Sequence, residues 1–141
     1  MASIHREVII AAHPETVWDA LRDVGEIHTR LAPGFVTDVH MEGEGARVVT
    51  FGNGQVAREL IVDVDDHARR VAWAAVGGPM THYNASAQVF DHGDGRSRFV
   101  WIADLLPHEL APAIAGMIEQ GLAAIKQTQE LAERGHAVVS G

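Results

Sequence analysis

Four side chains are of a type and placement that could move a proton: Glu59, His82, Tyr83 and Asp104. A reaction next to a carbonyl inside an apolar pocket needs an acid or base whose pKa burial has brought near neutrality. Tyr83 is the only tyrosine, and alternation along Thr81 to Phe90 puts it on one face with Ala85, Ala87 and Val89. From that dry face its hydroxyl can donate to a ligand oxygen or be satisfied within the core. His82 falls at the mouth, which suits gating or solvent contact better than deep catalysis, and Asp104 borders the last strand facing water. The nine histidines, at 5, 13, 28, 40, 67, 82, 92, 108 and 136, contain no H-x-H or H-x-x-x-H pair, so their spacing builds no metal site and turn positions account for them. With zero cysteines there is no thiol nucleophile, thiolate ligand or disulfide. No nucleophile elbow, phosphate loop or triad spacing is present, and Asn84-Ala85-Ser86 matches a glycosylation sequon by chance. No metal and no cofactor is expected.

The elements that must position these groups follow from periodicity. Ser3 to Ala12 alternates as a strand, and Pro14 then opens a helix in which Val17, Trp18 and Leu21 recur at helical spacing. Glu26 to Leu31 adds a second short helix. Strands are expected at Phe35 to Met41, Arg47 to Phe51, Gln55 to Val64, Val71 to Val76, Thr81 to Phe90 and Ser97 to Asp104. They are separated by glycine-rich turns, of which Gly52-Asn53-Gly54 is the strongest hairpin signal. Pro107 to Arg134 reads as one long amphipathic helix with a stripe of Leu110, Ile114, Ile118, Leu122 and Ile125. Sequential hairpins plus that helix give an α+β domain: a curved antiparallel sheet of six to seven strands around a C-terminal helix.

The apolar side of the last helix is interrupted by Gly116 and Gly121, each costing about 1 kcal/mol against alanine in a helix interior. Opposite them the sheet pairs bulky Trp73, Tyr83 and Trp101 with small Ala85, Ala87 and Ala103. Small residues beneath a glycine-bearing helix predict a pocket for a small apolar molecule. The alternative is that the indoles fill the volume themselves. Alternation along Gln55 to Val64 points Val56, Leu60, Val62 and Val64 inward and Glu59 outward.

The order A-x-P-E-x-V-W at Ala12 to Trp18, R-E-L-x-V-D-x-D-D at Arg58 to Asp66, Gly77-Gly78 before Asn84 to Ser86, Trp101, and G-L-x-x-I-K at Gly121 to Lys126 resembles the START-like superfamily. That superfamily includes the polyketide cyclase/dehydrase family, the birch-pollen allergen family and the plant abscisic-acid receptors. The resemblance covers nearly the whole chain and implies a helix-grip fold enclosing a hydrophobic cavity. It implies Glu59 as a buried polar anchor, in conflict with alternation unless a bulge intervenes. It also implies Trp73 and Trp101 as aromatic walls, and Ala113, Met117 and Gly121 as the helix side. The receptors' two entrance loops correspond to Gly52 to Gln55 and Gly78 to His82, with Pro79 and Met80 as the rim. Neither loop carries the gate and latch motifs, and the first strands lack an inward lysine, which argues against a hormone receptor.

Length and a 47% hydrophobic content suit a single domain over residues 1–141. The formal charge of −8, with eleven scattered Lys and Arg, argues against nucleic acid. The amino terminus has too short an apolar run for a signal segment, and no stretch approaches a membrane span, so a cytoplasmic protein without membrane insertion is expected. The expected partner is a small hydrophobic, ring-containing molecule such as a polyketide, lipid or sterol, held by Trp73, His82, Ala85, Trp101, Ala113, Met117 and Gly121. A homodimer is left open. An enzyme using Glu59 or Tyr83 as acid/base and a protein-interaction domain are the competing readings.

Overall fold

The computed structural model describes residues 2–140, with side chains described to Gly135, so the side chain of His136 lies outside the described residues. The chain runs β1 (Ala2–Ile10), α1 (Pro14–Arg22), α2 (Ile27–Arg30), β2 (Val36–Glu42), β3 (Ala46–Phe51), β4 (Val56–Asp65), β5 (Arg70–Val76), β6 (His82–Gly93), β7 (Arg96–Leu106) and α3 (Ala111–Ser140). All seven strands join one antiparallel sheet in the order β1-β7-β6-β5-β4-β3-β2. Only the closure of β1 onto β7 is non-sequential, which curls the sheet around α3. This is the helix-grip architecture, with every expected element present to within a few residues.

The last helix starts later than its sequence pattern implies. Pro107 leads into a short 3-10 turn at His108–Leu110, and the α-helix opens at Ala111 with Pro112 in its first turn. A proline there costs no hydrogen bond, because the first-turn N–H groups lack intrahelical acceptors. From Ile118 onward the helix is clamped down: Ile118, Leu122, Ile125 and Gln129 are buried. The Lys126 ammonium donates to Ile9 O at 2.8 Å, the Ala11 N–H to Glu130 at 2.8 Å, and the Gln129 amide to Arg30 O at 2.7 Å. Its first two turns have no such ties. Ile114 and Met117 are half-buried and Ala113 is exposed, so this end stands off the sheet.

One strand reverses the face expected from alternation. On β4, Val56 and Val62 are each 64% exposed and Leu60 and Val64 each 36%, whereas Glu59 is buried. The inward set is Ala57, Glu59 and Ile61, one residue out of phase with the expected one, and a one-residue shift flips every side chain. The bulge between Ile61 and Asp63 lies beyond Glu59, so it is not what turns the carboxylate in. The valines are on the outer face for strand propensity rather than burial.

Candidate functional site

Two adjoining spaces lie between α3 and the concave face. The inner one, of about 60 Å3, is walled by side chains including Phe35, Arg47, Trp73, Ala87 and Trp101. The outer one, of about 630 Å3, opens between the β3–β4 turn, the β5–β6 loop and the raised start of α3. Phe51, Glu59, Tyr83 and Met117 border both and mark the throat, the boundary at which the two spaces meet. The outer volume falls within the roughly 300–1,000 Å3 of ligand pockets.

The inner end is small because aromatic rings occupy it. Trp73 and Trp101 meet edge to face with centroids 5.9 Å apart, Phe35 meets Trp101 at 6.5 Å, and Phe35 meets Phe51 at 5.6 Å. Phe35 is delivered by a close approach of two loops: the Gly52 N–H donates to Phe35 O at 2.8 Å. A Cβ on Gly52 would stand 2.3 Å from Gly34 O, so only glycine fits.

The two helix glycines do different jobs, contrary to the expectation that both leave space. A Cβ on Gly121 would lie 2.8 Å from Trp101 Cζ3 and 2.9 Å from Phe35 Cε2. Gly121 therefore admits the indole and lines neither space. A Cβ on Gly116 meets nothing within 4 Å, and this residue lines the outer cavity. The void is displaced toward the beginning of α3.

Glu59, 6% exposed, accepts from Arg47 Nε at 2.8 Å. Arg47 is itself buried, donates through Nη1 to Val24 O at 2.9 Å and lies 5.7 Å from the centre of the Trp73 ring. Burial pushes the Glu59 carboxyl up from its ordinary value, against the pull of the Arg47 charge and hydrogen bond. Burial likewise raises the Tyr83 phenol and the nearby Glu59 adds to the shift, while the neighbouring Trp101 N–H acts the other way. No well-formed hydrogen bond closes between the two rings: Trp101 Nε1 is buried without a partner.

Arg47, Phe35 and Phe51 are site residues that motif reading missed. A signal for Arg47 existed. In a hairpin centred on Asn53, residues equidistant from the centre pair, and 53 − 47 equals 59 − 53, which is the observed register of Arg47 with Glu59.

The sequence-expected residues divide cleanly. Trp73 and Trp101 line the inner space, Ala113 the outer one, and Glu59, Tyr83 and Met117 the throat. Pro79 and Met80 form part of the outer rim. Ala85 is buried but lines neither space, like Gly121. His82 is exposed and, with Asn84, belongs to the outer face of the sheet, where Asn84 Nδ2 donates to Asp104 at 3.1 Å. Ser3 also bonds Asp104, and its carboxyl is held below the ordinary range by Ser3 and Asn84. Asp104 thus ties strands together away from the cavity. Among the described residues no cluster of His, Cys, Asp or Glu could hold a metal ion, and no helix is long and apolar enough to cross a membrane.

The same fold recurs in solved structures. The Bacillus cereus protein XoxI superposes with a TM-score of 0.82 at 20% identity, covering 92% of this chain and 96% of that one. The di-domain ARO/CYC BexL from the BE-7585A biosynthetic pathway matches with a TM-score of 0.80 at 16% identity, over 93% of this chain and 47% of that one. Norcoclaurine synthase from Thalictrum flavum gives 0.71 at 20% identity, over 89% and 84%. No curated protein matches the sequence. The family model for polyketide cyclase / dehydrase and lipid transport matches residues 1–130, and the chain belongs to that family.

Proposed function

We propose that the protein binds a small hydrophobic, ring-containing molecule in the outer cavity, with its leading end at the throat. The observation that carries this reading is the cavity of about 630 Å3 under the unclamped start of α3, with Glu59 and Tyr83 on the border it shares with the inner space. Apolar walls supply affinity without direction, and one or two polar groups at the narrow end give orientation. The family description and the ring chemistry in the names of the fold neighbours BexL and norcoclaurine synthase support the same class of ligand.

A panel of aromatic polyketides, sterols and fatty acids should contain compounds that quench tryptophan fluorescence and raise the melting temperature. Stabilisation should be about 2.7 kcal/mol when free ligand is a hundredfold above its Kd. A panel without a single such compound would remove the reading.

A second reading, favoured by the raised carboxyl of Glu59 at the throat, is a cyclase/dehydrase-like enzyme in which Glu59 or Tyr83 exchanges a proton with the bound molecule. For that reading, Glu59→Gln or Tyr83→Phe removes turnover and leaves binding largely intact. Parallel loss of binding in both variants would instead mark a carrier.

A further inference from the structure

Among the described residues the exposed large apolar side chains gather on two neighbouring strands, Val56, Leu60, Val62 and Val64 on β4 and Val76 on β5, with Leu131 on α3 apart from them. Val56 and Val76 border the outer cavity, but Leu60 and Val62, in the middle of β4, line neither space. Residues directly opposite on neighbouring strands share a face of the sheet. Glu59 and its partner Ala75 face the outer cavity. Leu60 is opposite Ala46 and Ala74, Arg58 opposite Val48, and Asp63 opposite Ala72, so these side chains form one strip on the other face, turned away from α3. Its middle is apolar and low. Strand propensity would be met as well by threonine and does not ask for Leu60.

The ends of the strip carry opposite charges. The bulge between Ile61 and Asp63 inserts Val62 and so shifts Asp63 out of the inward phase of Glu59 and Ile61 and onto the outer face. The order along β4 becomes Arg58, Leu60, Val62, Asp63. Asp63 is exposed, and Arg58 bonds Glu42 through Nε at 2.7 Å, which leaves its terminal nitrogens to bond elsewhere. A twofold axis between two such strips, crossing β4 between Leu60 and Ile61, sets Arg58 of each copy over Asp63 of the other, because both stand about 8 Å from the axis. Leu60 and Val62 then meet their own equivalents in the centre. Stacked sheets lie about 10 Å apart, a gap that arginine and aspartate span together. The strip is thus its own complement, whereas a basic partner would set a cation against Arg58 and an acidic one an anion against Asp63.

We propose that this strip docks a second copy of the chain, sheet against sheet, in a weak dimer with Leu60 and Val62 at its centre and two reciprocal Arg58–Asp63 ion pairs at its ends. The sheet curls around α3, so its outer face is convex and contact is confined to the strip. The buried area then falls below the roughly 1,200 Å2 at which stable complexes begin, and association is reversible with a Kd on the order of 100 µM. The cavity lies on the opposite face of the sheet, so this dimer does not depend on the binding reading above.

Sedimentation equilibrium of the native chain from about 10 µM to 1 mM should show the mass rising from one chain toward two. Over the same range, proton–nitrogen NMR should show concentration-dependent shifts centred on β4 and β5. Arg58→Asp and Asp63→Arg should each weaken self-association about tenfold or more. Mixed in equal amounts, the two variants should associate as the native chain does, since each then meets its complement. Starting from a formal charge of −8, both variants stay net negative, so general attraction does not bring them together. A mass of one chain across the whole range overturns the proposal. A dimer whose shifts fall on the edge strands β1 or β2, or one that neither substitution weakens, overturns it as well. So does a mixture that stays monomeric while both variants keep the native melting temperature. The shifts of the native chain need no variant and decide the case if either variant folds poorly.

Discussion

Replacing Arg47 by alanine is expected to destabilise the protein by about 3–5 kcal/mol at pH 7, among the largest effects available from one substitution. The change leaves the Glu59 carboxylate buried without its cation, and it removes the donor to Val24 O that ties the segment after α1 to β3. Thermal unfolding should fall by roughly 10 °C or more. The deficit should also depend on pH with a definite sign. The Glu59 pKa is raised in the folded state, so the folded form is favoured below the unfolded value of about 4.3 and loses ground as pH rises through the folded pKa. Without Arg47 that pKa rises further, so the gap between variant and native should shrink as pH is lowered toward 4–5. A deficit that is flat with pH would mean Glu59 is not the group left unpaired. The paired replacement Arg47→Met with Glu59→Leu removes both charges and is expected to be about neutral or stabilising by 1–4 kcal/mol. That outcome would show the pair is kept for what it does in the throat rather than for stability.

Leucine at Gly121 and at Gly116 should give opposite results, although both glycines interrupt the apolar side of one helix. At position 121 the Cβ alone already collides with two aromatic rings, and those rings are held by each other. Overpacking of this kind costs about 1–3 kcal/mol or more, and the variant should melt well below the native protein with a disturbed Trp101 environment in near-ultraviolet circular dichroism. At position 116 nothing obstructs the new side chain, and the helix gains up to about 1 kcal/mol from losing a glycine. Gly116→Leu should therefore melt no lower than the native chain while binding ring-containing ligands at least tenfold more weakly, because the leucine projects into the outer cavity. Normal ligand affinity in Gly116→Leu would misplace the cavity. Native-like stability in Gly121→Leu would mean that the Phe35 and Trp101 rings yield more readily than their packing implies.

Much of the architecture is legible in the sequence alone. Glycine-bounded alternating segments are local signals, and here local signal and final strand agree from β1 to β7 because each strand pairs with a sequence neighbour through a short turn, except where β1 closes on β7. Helical periodicity at Ile118, Leu122 and Ile125 likewise named the face of α3 that is buried. The inward Trp73, Tyr83 and Trp101 follow from alternation on β5, β6 and β7, where one face is dry.

Pattern failed where two faces of a strand compete. On β4 both candidate faces contain apolar residues, and the tie was broken by Arg47 on the neighbouring strand, whose register draws Glu59 inward and leaves Val56 and Val62 in water. Alternation within β4 holds no record of that partner, though the centre of the hairpin does.

By itself the sequence determined the set of elements, their order and the residues of the aromatic wall, because periodicity and turn chemistry act over a few residues. Only the tertiary structure decided where the empty space lies. A void is the difference between the separation of two elements and the side chains between them, and that separation is set by contacts remote in sequence. Lys126, Gln129 and Glu130 draw one end of α3 onto β1 and the end of α2, while the other end, with Gly116, stays raised over the outer cavity.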